Sequence, residues 1–230
     1  MSAGRPYLLP RGGTIDRHCH ARAYATIVVR GGYEEAGDAG RHQVRAGDVL
    51  VHAAFSAHRD FVADRTTEVI DLPILLPVTL PARGRLADVD AVAQLAERDA
   101  GAAAALLLDR LEPGEPGEAD PADMLAAALA EGQTAPIGAW GARLGLARET
   151  LSRQFRRLYG IDAAAYRVEA RARLAWRQVV GTSAPLAEIA AATGHADQAH
   201  MTRAIHALTG LPPGAWRRVT SLQDRSAAAA

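Results

Sequence analysis

The sequence predicts a two-domain chain: an all-β barrel with trailing helices, then an all-α domain holding two helix-turn-helix units. Three observations carry this expectation. The first eighty residues break into short apolar segments separated by glycine turns. Residues 112–121 (Glu-Pro-Gly-Glu-Pro-Gly-Glu-Ala-Asp-Pro) combine proline, glycine and like charges, which disfavour packing. The last hundred residues contain one helical pattern twice. The expected boundaries are 1–80 for the barrel, 81–112 for a helical segment, 113–121 for a linker and 122–222 for the helical domain.

The barrel strands are read from β-branched and aromatic runs. Tyr24 to Arg30 stops at Gly31-Gly32. Val44 to His52 is interrupted by a turn at Ala46-Gly47-Asp48. Phe61-Val62 and Glu68 to Leu76 follow. Short strands at this spacing suit a small barrel or sandwich. In the segment from Arg85 to Leu111, Leu86, Val89, Val92, Ala93 and Ala96, then Leu106, Leu107, Leu108 and Leu111, predict two helices broken near Gly101. They either cover an open barrel face or pair two chains.

The doubled pattern begins with Ile137, Trp140, Gly141 and Gly145, and returns as Leu186, Ile189, Ala190 and Gly194. Each copy reads as a short helix with an apolar stripe, a small residue for close helix approach, and a glycine for a tight turn. A second amphipathic stretch follows each turn: Leu151, Phe155, Tyr159, Gly160, Ile161 in one copy, and Met201, Ile205, Thr209, Gly210, Leu211 in the other. Arg153 stands two residues before Phe155, and Arg203 two before Ile205. Between the copies, Ala163 to Val180 lacks proline and glycine and predicts a connecting helix ended by Gly181 and Pro185. A stiff connector between two such units can place two helices in successive major grooves of DNA.

Charge points the same way. The chain has 26 basic and 26 acidic residues, and every basic residue is arginine. Residues 1–120 hold 13 Arg against 18 Asp and Glu, and residues 121–230 hold 13 Arg against 8, so formal charges of −5 and +5 cancel. A basic lobe attracts phosphate and an acidic lobe is repelled by it. A single cysteine excludes an internal disulfide and fits a reducing compartment. No signal-peptide core and no apolar run of membrane-spanning length is read, so the expected location is cytoplasmic, without membrane contact. Ser226 to Ala230 reads as a frayed tail.

The run Ile189-Ala190-Ala191-Ala192-Thr193-Gly194-His195-Ala196-Asp197-Gln198-Ala199-His200-Met201-Thr202-Arg203, with Gly210-Leu211-Pro212-Pro213-Gly214-Ala215-Trp216-Arg217-Arg218, resembles the DNA-binding region of the AraC/XylS transcription regulators, over about 125–220. His195 departs from that family's usual apolar aromatic. Ala147 stands where the first recognition helix often has a serine cap, so that helix start is expected to fray. The resemblance implies double-stranded DNA and RNA polymerase as partners. In the first recognition helix Arg148, Glu149, Ser152 and Arg153 are assigned to base edges, with Arg156 and Arg157 near the backbone. In the second, Gln198, Ala199, Thr202 and Arg203 face the bases. Arginine can pair bidentately with guanine and glutamine with adenine, and alanine can meet a thymine methyl. Arg156, Arg157, Arg217 and Arg218 are assigned to phosphates.

Near the N-terminus, Gly12, five residues, His18-Cys19-His20, three residues, Tyr24, six residues and Gly31 resemble the first cupin motif; Gly47 followed by His58 resembles the second. Tyr24 replaces the usual glutamate, Ala53 a proline and Phe55 a glycine. The resemblance implies a cupin-like sensor barrel. Alternation on a strand puts His18 and His20 on one face and Cys19 on the other. Cys19 reads as a packed thiol. His18, His20 and His58 match a metal triad suited to zinc, nickel, copper or ferrous iron. The alternative is a metal-free effector pocket lined by His18, His20, Tyr24 and His58. His42 and His52 have no evident partners and are read as surface or core residues.

The expected function is that of a sequence-specific transcription regulator whose barrel binds a small effector or a metal and changes how its DNA-binding domains are displayed or paired, as a homodimer. A metal-dependent cupin enzyme, a dioxygenase or isomerase, is the rival from another class. It ranks low because no second acid stands beside the triad, and the chain is expected not to be an enzyme. A regulator controlled by a protein partner on the barrel is the third reading.

Overall fold

In the computed structural model, residues 4–74, 80–114 and 119–219 are described. The chain divides into two compact units, Met1–Met124 with Arg153–Gly160, and Leu125–Ser152 with Ile161–Ala230.

The strands are β1 (Tyr7–Leu8), β2 (Gly13–Cys19), β3 (Tyr24–Arg30), β4 (Gly32–Gly37), β5 (Gly40–Arg45), β6 (Asp48–His52), β7 (Ala57–Val62), β8 (Glu68–Pro73), β9 (Arg83–Arg85) and β10 (Glu112–Pro113). They form two antiparallel sheets, ordered β1-β8-β3-β6-β9-β10 and β2-β7-β4-β5. Strand β3 spans the predicted residues. The predicted turn at Ala46-Gly47-Asp48 is present, with Gly47 at φ +91 in the left-handed region. It is fixed by Asp48, whose buried carboxylate accepts from Arg85 Nη1 at 2.7 Å and Arg83 Nη2 at 3.1 Å. The expected strand end at Leu75-Leu76 lies outside the described residues, as do residues 115–118 of the linker, 220–222 of the last domain and the tail.

Three expectations need correction. Glu112 and Pro113 are not free linker; they pair with Arg85 and Gly84 as an edge strand, a place where proline's missing N–H costs no ladder bond. The break between the two helices α1 (Val89–Ala96) and α2 (Ala100–Arg110) is at Glu97–Asp99, not Gly101. The Asp99 carboxylate caps α2 by accepting from Gly101 N and Ala102 N, both at 2.9 Å, which draws Gly101 into the first turn. His20 is not on a strand: β2 ends at Cys19, and its register with β7 slips between Ile15 and His18.

Alternation decides the packing. Ala25, Ile27, Val49, Ile70 and Leu72 form one face of the larger sheet, and Val92, Ala96, Ala103, Ala104 and Leu107 of α1 and α2 cover it. These helices therefore cover the sheet. Between the sheets, Leu9, Val28, Tyr33, Val44, Leu50, Val62 and Val69 make a separate apolar core.

Phe55 has φ 60, the only positive value outside glycine among the described residues. It stands where the resembling family has glycine. Such a conformation costs about 1–3 kcal/mol. Its ring is 4% exposed, and burying a phenylalanine returns about 1.5–3 kcal/mol. The two effects offset one another, and the Phe55 N–H donates to the His20 carbonyl at 2.8 Å, which ties down the chain at His20.

The helices that follow are α3 (Pro121–Ala130), α4 (Ile137–Arg143), α5 (Arg148–Tyr159), α6 (Ala163–Gly181), α7 (Leu186–Ala192) and α8 (Gln198–Thr209), with residues 213–219 also helical. Both copies of the repeat fold alike. Pro136 and Pro185 precede α4 and α7, and Gly145 and Gly194 take φ +67 and +70 in the turns. A Cβ on Gly141 would sit 2.7 Å from the Leu146 carbonyl oxygen, so the small residue is required. Helix α6 starts at Asp162, whose carboxylate accepts from Ala164 N and Ala165 N. In the second copy Ala175 and Val179 of α6 pack with Ile189, Ala190, Met201 and Ile205.

Candidate DNA-binding helices and a buried histidine pocket

Helices α5 and α8 each divide into an apolar face and an open face. On α5, Leu151, Phe155, Leu158 and Tyr159 are buried, while Arg148, Glu149, Arg153, Arg156 and Arg157 are exposed and Ser152 is half-buried. On α8, Met201 and Ile205 are buried, Gln198, Ala199 and Arg203 are exposed, and Thr202 is half-buried. The residues assigned to DNA from sequence thus occupy the open side of each helix. The starts differ. Asp197 caps α8, accepting from His200 N at 2.6 Å. At α5, Ala147 offers only its carbonyl, which accepts from Leu151 N at 3.1 Å.

Arg217 is held by carbonyls of its own domain. Its guanidinium donates to the carbonyls of Val179 and Ala184, at the end of α6 and just beyond it. A cation there satisfies carbonyls at and just past a helix end. His195 is 7% exposed and exchanges a 2.9 Å hydrogen bond with Thr193. Burial, then His200 and Arg171, lower its pKa to about 4. The folded state therefore holds it neutral, while the unfolded chain takes up a proton near pH 6.5. Its contribution to stability is complete above about pH 6.5 and is lost as pH falls toward 4. His195→Phe should flatten this part of the acid dependence in urea melts at pH 7 and pH 4.5. Equal slopes for both proteins would refute the assignment.

The interior of the β unit opens into a cavity of about 210 Å³ whose lining includes His18, His20, Tyr24, Glu35, His58, Asp60 and Asp71. His18 and His58 are cross-strand partners with ring centroids 4.3 Å apart, and His20 is 5.0 Å from His18. The Tyr24 hydroxyl lies 3.4 Å from His58 Nε2. One nitrogen from each of His18, His20 and His58 falls within 4.8 Å of the others. Three imidazoles at this spacing fit zinc, nickel or ferrous iron as a donor set. Burial foremost, then neighbouring imidazoles, hold His58 down at about 2 and His52 at about 3, and burial also lowers His20. These rings are neutral at pH 7, the form that can ligate.

Sequence reading missed half of this pocket. His52 is buried behind it, stacked on Tyr24 at 4.4 Å with Nδ1 3.6 Å from Glu35 Oε1. Glu35, His52 and His58 form a second group that meets within 4.8 Å. The expectation that no acid stands beside the triad is overturned: Glu35, Asp60 and Asp71 all line the cavity and are at most 6% exposed. Burial, then mutual repulsion, raises Glu35 well above the carboxylate range and Asp60 to about 7. The available signal was alternation, since Asp60 stands two residues after His58. Cys19, expected to be packed, is exposed. His42 bonds the Ala39 carbonyl at 3.0 Å on β5.

A helix-turn-helix domain family model matches residues 140–219. No curated protein matches the sequence. An AraC-type transcriptional regulator from Chromobacterium violaceum superposes with a TM-score of 0.41 at 18% identity, over 44% of this chain and 91% of that one. The DNA-binding domain of AdpA, a global transcriptional factor in complex with a target DNA, gives 0.41 at 22% identity over 46% and 96%. Fatty acid-bound ToxT from Vibrio cholerae gives 0.41 at 11% identity over 93% of each chain. Among the described residues no helix is long and apolar enough to cross a membrane. Residues 140–219 of this chain form a helix-turn-helix domain.

Proposed function

We propose that the chain is a cytoplasmic, sequence-specific transcription regulator in which α5 and α8 read bases and a cupin-like region of about 1–80 binds a small effector. Residues 81–112 cover the sheet or pair two chains, 114–121 link, and 122–222 bind DNA. The observation that carries the reading is the doubled helix-turn-helix, with Arg153 and Arg203 exposed at equivalent places in the repeat. Arg148, Glu149, Ser152, Arg153, Arg156, Gln198, Ala199, Thr202 and Arg203 are the DNA-facing set. His18, His20, Tyr24 and His58 line the effector site, and His18, His20 and His58 are the residues that would hold a metal. RNA polymerase and a second copy of the chain complete the partners.

The cavity, with His18, His20, Tyr24 and His58 brought together in its lining, supports an effector over a protein signal. Replacing His18, His20 and His58 together by alanine should leave operator affinity of the effector-free protein within a few-fold and abolish the effector response of a promoter reporter, because coupling requires differential binding to two states. A variant that still responds normally would remove the pocket from the account. Elemental content decides the metal: a three-imidazole site retains zinc through purification, and less than about a tenth of an equivalent would exclude it.

A further inference from the structure

Two buried carboxyl oxygens of the cavity have no hydrogen-bond partner among the described residues. Glu35 on β4 and Asp60 on β7 stand directly opposite each other in the antiparallel pair. Like charges at such positions repel. Asp71, on β8 of the facing sheet, lines the same cavity. Its oxygens are satisfied, accepting from the Tyr7 hydroxyl at 2.8 Å and Thr26 Oγ1 at 2.7 Å. Glu35 has Tyr33 and, at 3.6 Å from Oε1, His52 Nδ1 beside it, but one oxygen of each of Glu35 and Asp60 is left over. Glu35 Oε2 and Asp60 Oδ1 are fully buried acceptors with no hydrogen-bond partner among the described residues, on side chains only 2% and 6% exposed. Unmade hydrogen bonds at buried acceptors are costly, and charged acceptors most of all. No arginine lines the cavity, and the chain has no lysine.

The space selects further. About 210 Å³ is room for roughly seven waters at about 30 Å³ each, and lies below the ~300 Å³ where drug-sized ligand sites begin. Tyr7, Tyr24 and Tyr33 give the walls aromatic faces, which attract cations. An anion would meet three carboxylates. A neutral polyol would satisfy the acceptors without favouring their charged form.

Building on the effector reading, we propose that the ligand of this cavity is a small organic cation with N–H donors, an aliphatic primary amine or short diamine, held between Glu35, Asp60 and Asp71. The ammonium donates to Glu35 Oε2 and Asp60 Oδ1, the two acceptors left without partners, and supplies a positive charge between them.

The test is calorimetric titration of the full chain with butylamine, 1,4-diaminobutane, the uncharged 1,4-butanediol and zinc chloride, followed by operator binding with and without each. Saturable binding of the amines, no binding of the diol at a hundredfold higher concentration, and at least tenfold weaker amine binding in both Glu35→Gln and Asp60→Asn are expected. Each variant is checked for a cooperative melt, and if one fails to fold the other decides. Diol binding as tight as the diamine, or amine affinity unchanged by these variants, overturns the proposal. Zinc binding that requires Glu35 and blocks the amines also overturns it, assigning the acids to a metal. If a neutral or anionic compound occupies the cavity and alters operator binding while amines do not, the cation is wrong and the effector reading stands. If a charge-balanced fragment library yields no binder of the cavity, both fall.

Discussion

Raising salt from 50 to 200 mM is expected to weaken binding of the full chain to duplex DNA by about 10³-fold. Each phosphate neutralised by arginine releases condensed counterions, giving a slope near −0.9 per contact, so about six contacts over a fourfold change in salt yield this factor. The chain's zero net charge would predict little effect. Its distribution predicts otherwise: residues 121–230 carry 13 Arg against 8 acids, and α5 alone exposes Arg148, Arg153, Arg156 and Arg157. Affinity measured across this range decides the matter. A fall of less than about tenfold would mean that few of these arginines meet phosphate.

Arg203→Ala and Arg153→Ala should each cost about 1–3 kcal/mol, or roughly 5- to 150-fold in affinity, on the best operator sequence. Both side chains are exposed and precede the buried Ile205 and Phe155 by two positions, so each projects from the open side of its helix. Removing a bidentate arginine–guanine pairing relaxes preference at that base pair and nowhere else. Arg157→Ala, further along α5, should weaken all sequences alike. The effects of Arg153→Ala and Arg203→Ala should be nearly additive, because the two arginines serve separate half-sites. Competition assays with single-base operator variants distinguish these patterns. Uniform weakening on every sequence by Arg203→Ala and Arg153→Ala would make them phosphate ligands too.

The helical repeat was legible because its signals are local. Gly145 and Gly194 mark turns that require positive φ, and the buried positions of α5 and α8 follow from spacing within one helix. Strand β3 was legible for the same reason, as an uninterrupted β-branched run. The features that sequence does not announce are non-local. Glu35 meets Asp60 only because β4 pairs with β7, and Thr26 reaches Asp71 across 45 residues. A glutamate and a tyrosine facing inward also spoil the apolar alternation that announces a strand, so nothing in the pattern marks β4 (Gly32–Gly37). His52 looked solitary because its partners, Tyr24 and Glu35, come from other strands. Gly101 misled because Asp99 supplied a cap two residues earlier, and a capped helix absorbs a glycine in its first turn. Arg217 was read by its charge alone, while its position depends on carbonyls more than thirty residues away.

The most direct test of the central claim, that α5 and α8 are two recognition helices reading one operator, is a methylation-interference footprint of the full chain on a promoter it occupies in the cell. Two successive major-groove segments protected about 10 base pairs apart are predicted, one disappearing in Arg153→Ala and the other in Arg203→Ala. A single protected segment, or disappearance of both segments in either variant, would contradict the account.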